Sequence, residues 1–278
     1  MLERIDHSNG VVTYQSPRLR AAGVVHAFTT RLGGVSQGPY ASLNLGPLVK
    51  GDDADANTAV AENFRLLRGA LGREQSRRVV VRQVHGSATW RAPSSPLRPE
   101  DAPDADAIVS TEPAHLVTIR VADCVPILLA SHDGRAVAGG RAGGGGAAAH
   151  AGWRGLVAGV IPNTVAHLLQ IAGDRAEDVV VAVGPHIRPA AYEVGPEVVE
   201  AFEAAGLGSA VVRRPDGASA VDLLEAAMLQ LDAVGVDRAS VDCAPALCTS
   251  ARAEVFFSHR RDRGRTGRLA AVISPTAR

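Results

Sequence analysis

Three cysteines in 278 residues, Cys124, Cys243 and Cys248, are too few and too odd in number to frame a disulfide scaffold. Aromatic residues supply 4% of the chain, so the 46% apolar content must build its core largely from Ala, Val and Leu. No apolar run approaches the roughly 20 residues that a membrane helix needs, which predicts no bilayer span. Neither charge sign dominates. Lys plus Arg and Asp plus Glu stand at 29 each, for a formal net charge of zero. That balance excludes a whole-molecule field drawing in nucleic acid or an anionic membrane, and leaves any anionic ligand to local arginines. No basic-then-apolar leader opens the chain at Met1-Leu2-Glu3, and the expectation is a reduced, cytoplasmic protein.

What is present is a strand-rich pattern. Alternating or continuous apolar runs at 24–29, 79–84, 116–122, 126–130, 136–139, 179–183 and 269–273 predict strands. Helical spacing links Val60, Phe64, Leu67 and Leu71, then Leu156, Val160 and Leu168, then Val221, Leu224, Met228 and Leu231. A further short helix is predicted after Pro196. Strand runs pair hairpin-fashion around His132-Asp133-Gly134 and the helices fall irregularly between them, so the prediction is α+β, with mixed sheets covered by helices, in a single domain over 1–278. Residues 91–104, with four prolines, and 139–149, with the glycine tract Gly143 to Gly146, read as surface excursions; the second reads as a flexible insertion, because no Walker-type lysine follows it.

Three short stretches carry soft-metal donors beside small or turning residues: Gln83-Val84-His85-Gly86, Ala122-Asp123-Cys124-Val125-Pro126 and His150-Ala151-Gly152-Trp153-Arg154-Gly155. A thiolate with two imidazoles suits zinc, and three protein ligands leave the fourth position open, as in catalytic sites. The intervals of 39 and 26 residues resemble no zinc finger, so spacing alone leaves three readings open. These are a metal site, a thiol nucleophile with its base, and a buried cysteine with two hydrogen-bonded histidines.

The wording around these residues is more specific. The strings Ala27-Phe28-Thr29-Thr30-Arg31-Leu32-Gly33-Gly34, Ser42-Leu43-Asn44-Leu45-Gly46 and Asp104-Ala105-Asp106-Ala107 occur in order with the three donor stretches. Gly184-Pro185-His186-Ile187, Tyr192-Glu193-Val194-Gly195, Val221-Asp222-Leu223, Cys248-Thr249 and Phe256-Phe257-Ser258-His259-Arg260-Arg261 follow. From about 24 to 273 the chain resembles the YfiH family, also called the laccase-domain or polyphenol oxidoreductase family. The resemblance implies an α+β sandwich and makes His85, Cys124 and His150 the zinc ligands. It also implies cytoplasmic purine nucleoside chemistry: phosphorolysis of adenosine, inosine, guanosine and methylthioadenosine, and in some members adenosine deamination. The expected partners are purine nucleosides and phosphate, with no nucleic acid and no membrane; oligomeric state is left open. The sequence departs from the family at the glycine tract before His150, at Pro189-Ala190-Ala191 where relatives carry cysteines, and at His259 where tyrosine is common.

Phosphorolysis passes through a cation-like sugar and needs an anion cradle, groups for hydroxyls and help for the departing base. Arg31 beside Gly33-Gly34 is the candidate cradle, with Cys124 and Asp123 as the other candidate catalytic residues. Asn44, Gln83 and Arg154 are candidate substrate-binding residues, and Asp123 is the candidate proton shuttle for deamination or, alternatively, an orienting hydrogen-bond partner. The arginines at 260, 261, 263, 265 and 268 read as a solvated run with a subset able to face phosphate. Competing readings are a copper-dependent polyphenol oxidase, an editing hydrolase of peptidoglycan precursors, and a non-enzymatic zinc module. A four-copper enzyme needs about ten histidines, largely in His-x-His pairs, whereas this chain has nine and no such pair. Copper remains a possible substitute for zinc at a His2Cys site.

Overall fold

Strand alternation sorts the apolar residues into three separate cores, and that sorting defines the layers. The structure, a computed structural model, describes residues 1–46, 57–96, 101–131, 144–173 and 175–276. In chain order the strands are β1 (Glu3–Asp6), β2 (Val12–Gln15), β3 (Val25–Thr29), β4 (Arg77–Val79), β5 (Thr89–Arg91), β6 (Ala107–Ser110), β7 (His115–Val121) and β8 (Val125–Ser131). There follow β9 (Gly145–Ala151), β10 (Val179–Val183), β11 (Glu193–Val194), β12 (Val211–Arg213), β13 (Ser219–Val221), β14 (Val241–Cys243) and β15 (Leu269–Ser274). The helices are α1 (Pro17–Ala21), α2 (Asn57–Ala70), α3 (Trp153–Val157), α4 (Val160–Ala172), α5 (Pro196–Ala204) and α6 (Leu223–Ala233).

One mixed sheet runs β1-β2-β3-β15-β7-β4 and a second runs β14-β10-β8-β9-β6-β5, with β11-β13-β12 as a small third. Between the two large sheets, Val117, Ile119, Val121, Ala271 and Ile273 meet Leu128, Ala130, Ala148 and Ala182. The opposite face of the first sheet, through Leu116, Ala270 and Val272, packs on Val60, Phe64 and Leu67 of α2. The opposite face of the second, through Val125, Ile127, Leu129, Val181 and Val183, packs on α3 to α6. The result is a four-layer helix, sheet, sheet, helix sandwich, the α+β class expected.

Several details differ from the sequence reading. The run expected at 79–84 leaves the sheet after Val79, and the loop that follows carries His85. The helix expected through Leu156 and Leu168 is two helices, because Gly159 at φ +79° breaks it. Val221 belongs to β13, and α6 begins only after Asp222, whose carboxylate accepts from Leu224 N and Glu225 N as its cap.

The largest correction concerns the glycine tract. Gly145 and Gly146 open β9, a buried central strand paired along its length with β8. A Cβ on Gly145 would lie 2.6 Å from Leu168 Cδ1, so the strand needs small residues because α4 rests directly on it. The sequence could not reveal this strand, since seven Gly, Ala and His residues carry no alternation of bulk. Residues 132–143, which include the predicted turn, the strand at 136–139 and the start of the tract, lie outside the described residues, as do 97–100 of the other excursion.

Candidate metal centre

Cys124 stands in the turn where the chain crosses from β7 in one sheet to β8 in the other. Asp123, just before it, holds φ +95°, a conformation rare outside glycine. Its buried carboxylate accepts from Thr249 Oγ1 at 2.6 Å, Ser258 Oγ at 3.0 Å and Arg260 N at 2.7 Å, while its carbonyl accepts from Ile187 N at 2.9 Å. Four contacts from the C-terminal half thus hold the strained turn in place.

His150 is the sixth residue of β9, is 3% exposed, and faces the space between the sheets. His85 is on the loop after β4, with φ +61°. One residue sets both. Asp106, fully buried just before β6, accepts from His150 Nδ1 at 2.8 Å and His85 N at 3.0 Å on one oxygen. Its other oxygen takes Gly86 N at 2.6 Å and Val84 N at 3.2 Å. The bond at Nδ1 fixes the tautomer and turns Nε2 toward the site.

The donor atoms of His85, Cys124 and His150 all lie within 4.8 Å of one another, and the two rings meet edge to face with centroids 4.8 Å apart. Gly152 closes the floor: a Cβ there would come within 3.0 Å of Cys124 Sγ and 3.1 Å of His85 Cδ2, crowding the space between the ligands. Burial pushes the Cys124 thiol up, but His150 and His85 outweigh it and bring it down to about 6. Burial likewise pushes the His150 ring down, and the sulfur and Asp106 reverse this, raising it to about 9. A sulfur held as thiolate between two imidazoles is the donor set of a borderline-soft divalent ion, so the residues present fit zinc or copper.

The triad opens into a cleft of about 870 Å³. Trp153 and Tyr192 give it flat walls, and Arg78, Arg82, Arg120, Arg154, Arg260 and Arg268 line it. Arg260 lies over the Tyr192 ring at 4.8 Å and Arg154 over Trp153 at 4.3 Å. Arg82 is neutralised by an ion pair with Asp104.

Residues 25–276 match the family described as multi-copper polyphenol oxidoreductase laccase. The chain belongs to this family. Among relatives in this laccase-domain family, it is 40% identical over 262 residues to the purine nucleoside phosphorylase of Deinococcus radiodurans, covering 92% of either chain. It is 39% identical over 253 residues to purine nucleoside phosphorylase YfiH of Escherichia coli, covering 90% of this chain and 93% of that one. The fold matches the crystal structure of YlmD from Geobacillus stearothermophilus with a TM-score of 0.81 at 32% identity, over 98% of each chain.

Within this laccase-domain chain the candidate residues separate. His85, Cys124 and His150 converge, and among the described residues theirs is the one group of three or more His, Cys, Asp or Glu able to hold a metal ion. Arg31 does not line the cleft. Its guanidinium donates to the Ala41 carbonyl at 2.7 Å and the Ala253 carbonyl at 2.9 Å and lies over the Phe257 ring at 4.6 Å. Gly33, at φ +88°, is needed for packing, since a Cβ there would meet the Gly10 carbonyl oxygen at 2.2 Å. The Arg-x-Gly-Gly turn is tightly packed, and the Arg31 guanidinium, the candidate cradle, is engaged with backbone outside the cleft that holds the triad. Asn44 and Gln83 act on backbone. Asn44 Oδ1 accepts from Arg268 N at 2.8 Å, and Gln83 brackets the Arg120 peptide, donating to its carbonyl at 2.8 Å and accepting from its N–H at 2.9 Å.

Asp106 stands within a matching string, yet sequence reasoning assigns it no role. The signal was there: an acidic residue opening the run Ala107–Ser110 must be buried, and a buried carboxylate needs partners.

Proposed function

We propose that this protein is a zinc-dependent purine nucleoside phosphorylase acting on adenosine, inosine, guanosine and methylthioadenosine. The observation that carries the reading is the convergence of two imidazoles and one sulfur on the floor of a cleft walled by arginines and aromatic rings. Relatives named purine nucleoside phosphorylase, matching over nine-tenths of the chain, support it.

His85, Cys124 and His150 would hold the zinc, which when bound would supply a Lewis acid at the cleft floor. Asp106 holds His150 in the tautomer that presents Nε2 and clamps the His85 loop. Trp153 and Tyr192 offer π-faces for a purine, and the arginines hold the anionic co-substrate in the same cleft. Arg154, exposed at the cleft wall on the Trp153 ring, is placed to steady substrate there.

Adenosine deamination is a second reading, favoured by the same donor set. Its candidate shuttle, Asp123, already accepts three hydrogen bonds, which suits it to bracing the Cys124 turn.

Metal-analysed protein is incubated with adenosine, with and without phosphate, and products are identified by mass. Adenine with ribose 1-phosphate, formed only with phosphate, is the expected result. Inosine would transfer the assignment to deamination. Neither product would overturn the reading and favour a hydrolase using Cys124 as nucleophile. Alanine at His85, Cys124 or His150 should remove both bound zinc and turnover; phosphorolysis persisting without metal would remove the triad from the chemistry.

A further inference from the structure

The first sheet presents three cations on one face. Register pairs Arg78 of β4 with Leu116 of β7, and Arg120 of β7 with Ala270 of β15. Leu116 and Ala270 both face α2, so alternation sends Arg78 and Arg120 to that side, and Arg268, two residues before Ala270, joins them. All three line the cleft that holds the metal triad.

No carboxylate among the described residues pairs with any of the three. Arg78 lies over the Phe64 ring at 4.0 Å, near the cleft rim. Arg120 donates one guanidinium bond, to the Val81 carbonyl at 3.2 Å. Arg268 donates to the Thr266 and Gly267 carbonyls, each at 3.0 Å. Each guanidinium has five N–H donors, so most remain for a ligand. Burial and mutual repulsion bring Arg120 down to about 10, with Arg78 and Arg268 as the repelling charges. Clustered cations half withdrawn from water are costly unless an anion joins them.

The cluster is also pre-positioned. Gln83 brackets the Arg120 peptide, Asn44 grips the Arg268 N–H, and Phe64 supports Arg78. Rigid placement of charged forks before ligand arrives is what recognition of a tetrahedral oxyanion requires.

We propose that Arg78, Arg120 and Arg268 form the subsite for inorganic phosphate, with Asn44 and Gln83 as positioning residues. The choice of phosphate rests on the phosphorolysis reading, whereas the unpaired cations stand without it. A phosphate oxygen lone pair forms the bond to C1′ of the sugar as the C1′–N bond breaks. The electron pair leaves on the purine, which takes up a proton from solvent, and no oxidant or reductant is consumed.

Binding of inorganic phosphate to the metal-loaded protein is measured by titration calorimetry in phosphate-free buffer, together with KM for phosphate and for adenosine. Arg120→Gln and Arg268→Gln should each weaken phosphate binding, and raise its KM, about tenfold or more, the loss of charge-assisted bonds. KM for adenosine should change by less than about twofold, since the uniform binding removed belongs to phosphate. The exposed Arg213→Gln should bind phosphate as the wild type does. If the glutamine variants do not fold, Arg120→Lys and the rim variant Arg78→Met carry the test, with a smaller loss expected in the same direction. Unchanged phosphate affinity in folded variants, or equal rises in both KM values, overturns the subsite. Wild type that binds phosphate in this way yet cleaves no nucleoside would refute phosphorolysis and leave the anion subsite standing.

Discussion

His150 and His186 are buried almost equally, at 3% and 2% exposure, and burial pushes both rings toward neutrality. Yet His150 is raised to about 9 and His186 lowered to about 4. The difference lies in the neighbours. His150 has the Cys124 sulfur and the Asp106 carboxylate beside it, whereas His186 Nε2 accepts from Arg188 Nη1 at 2.9 Å. Burial thus decides charge only together with the countercharge built next to it. The same rule separates the two parts of the cleft. The candidate metal site carries its own carboxylate in direct contact, whereas in the arginine cluster no ion pair forms among the described residues and only Arg268 feels the more distant Asp123 and Cys124, which leaves room for a countercharge that arrives as ligand.

Removing the anion tests this comparison most severely. Asp106→Ala leaves four donors without their acceptor and frees both imidazole ligands, and metal affinity should fall about 10- to 100-fold in a competition assay with a chelator. An unchanged affinity would show that the ligands hold their geometry without it.

The opposite side of the comparison is read by pH. His26 and His186 have folded values of about 4 against 6.5 for an ordinary ring. The unfolded chain therefore binds more protons between those values, so stability is full above about 6.5 and declines as pH falls toward 4. Each ring contributes on the order of 3 kcal/mol at most. His26 shows the structural reason: Nδ1 donates to the Val24 carbonyl, and Nε2 accepts from Ser16 N at 2.7 Å, a bond that an imidazolium cannot make. Denaturant titrations of wild type and His186→Gln should show a smaller acid loss in the variant.

Gly152→Ala asks whether the floor is as tight as the ligand geometry suggests. Its Cβ would crowd Cys124 Sγ, and metal affinity should drop about tenfold with little change in stability, measured by metal competition and thermal unfolding. Asp123→Asn sharpens the contrast between the two acids near the site. It should cost about 1–2 kcal/mol of stability by weakening the bonds to Thr249, Ser258 and Arg260, while bound metal stays stoichiometric. The smallest effect on function belongs to Arg31→Met. It should lower stability by about 1 kcal/mol through its two carbonyl partners, yet leave KM for phosphate unaltered.

The α+β class and the helix at α2 were legible because their apolar spacing is strong, the short helix at Pro196 because proline suits a helix's first turn, and the three candidate donors because the strings around them are specific. Roles were less legible than membership. Arg31, Asn44 and Gln83 stand in matching strings, but all three bond to backbone, and that follows from which chains lie beside them. Strand β9 was missed because close packing by α4 selects small residues, erasing the alternation by which strands are recognised.

By itself, the sequence determined the α+β class, since a period of two in most strands and 3.6 in the helices dictates which side chains must leave water. It also supplied the donor chemistry, a thiol and two imidazoles beside small or turning residues. Only the tertiary structure decided which of those groups meet. His85, Cys124 and His150 come together because two sheets stack and one buried aspartate ties the His85 loop to His150 of β9. The arginines gather because strands distant in sequence are neighbours in register. Electrostatic partnership depends on distance in space, and distance in space is set by packing between segments that no local pattern relates.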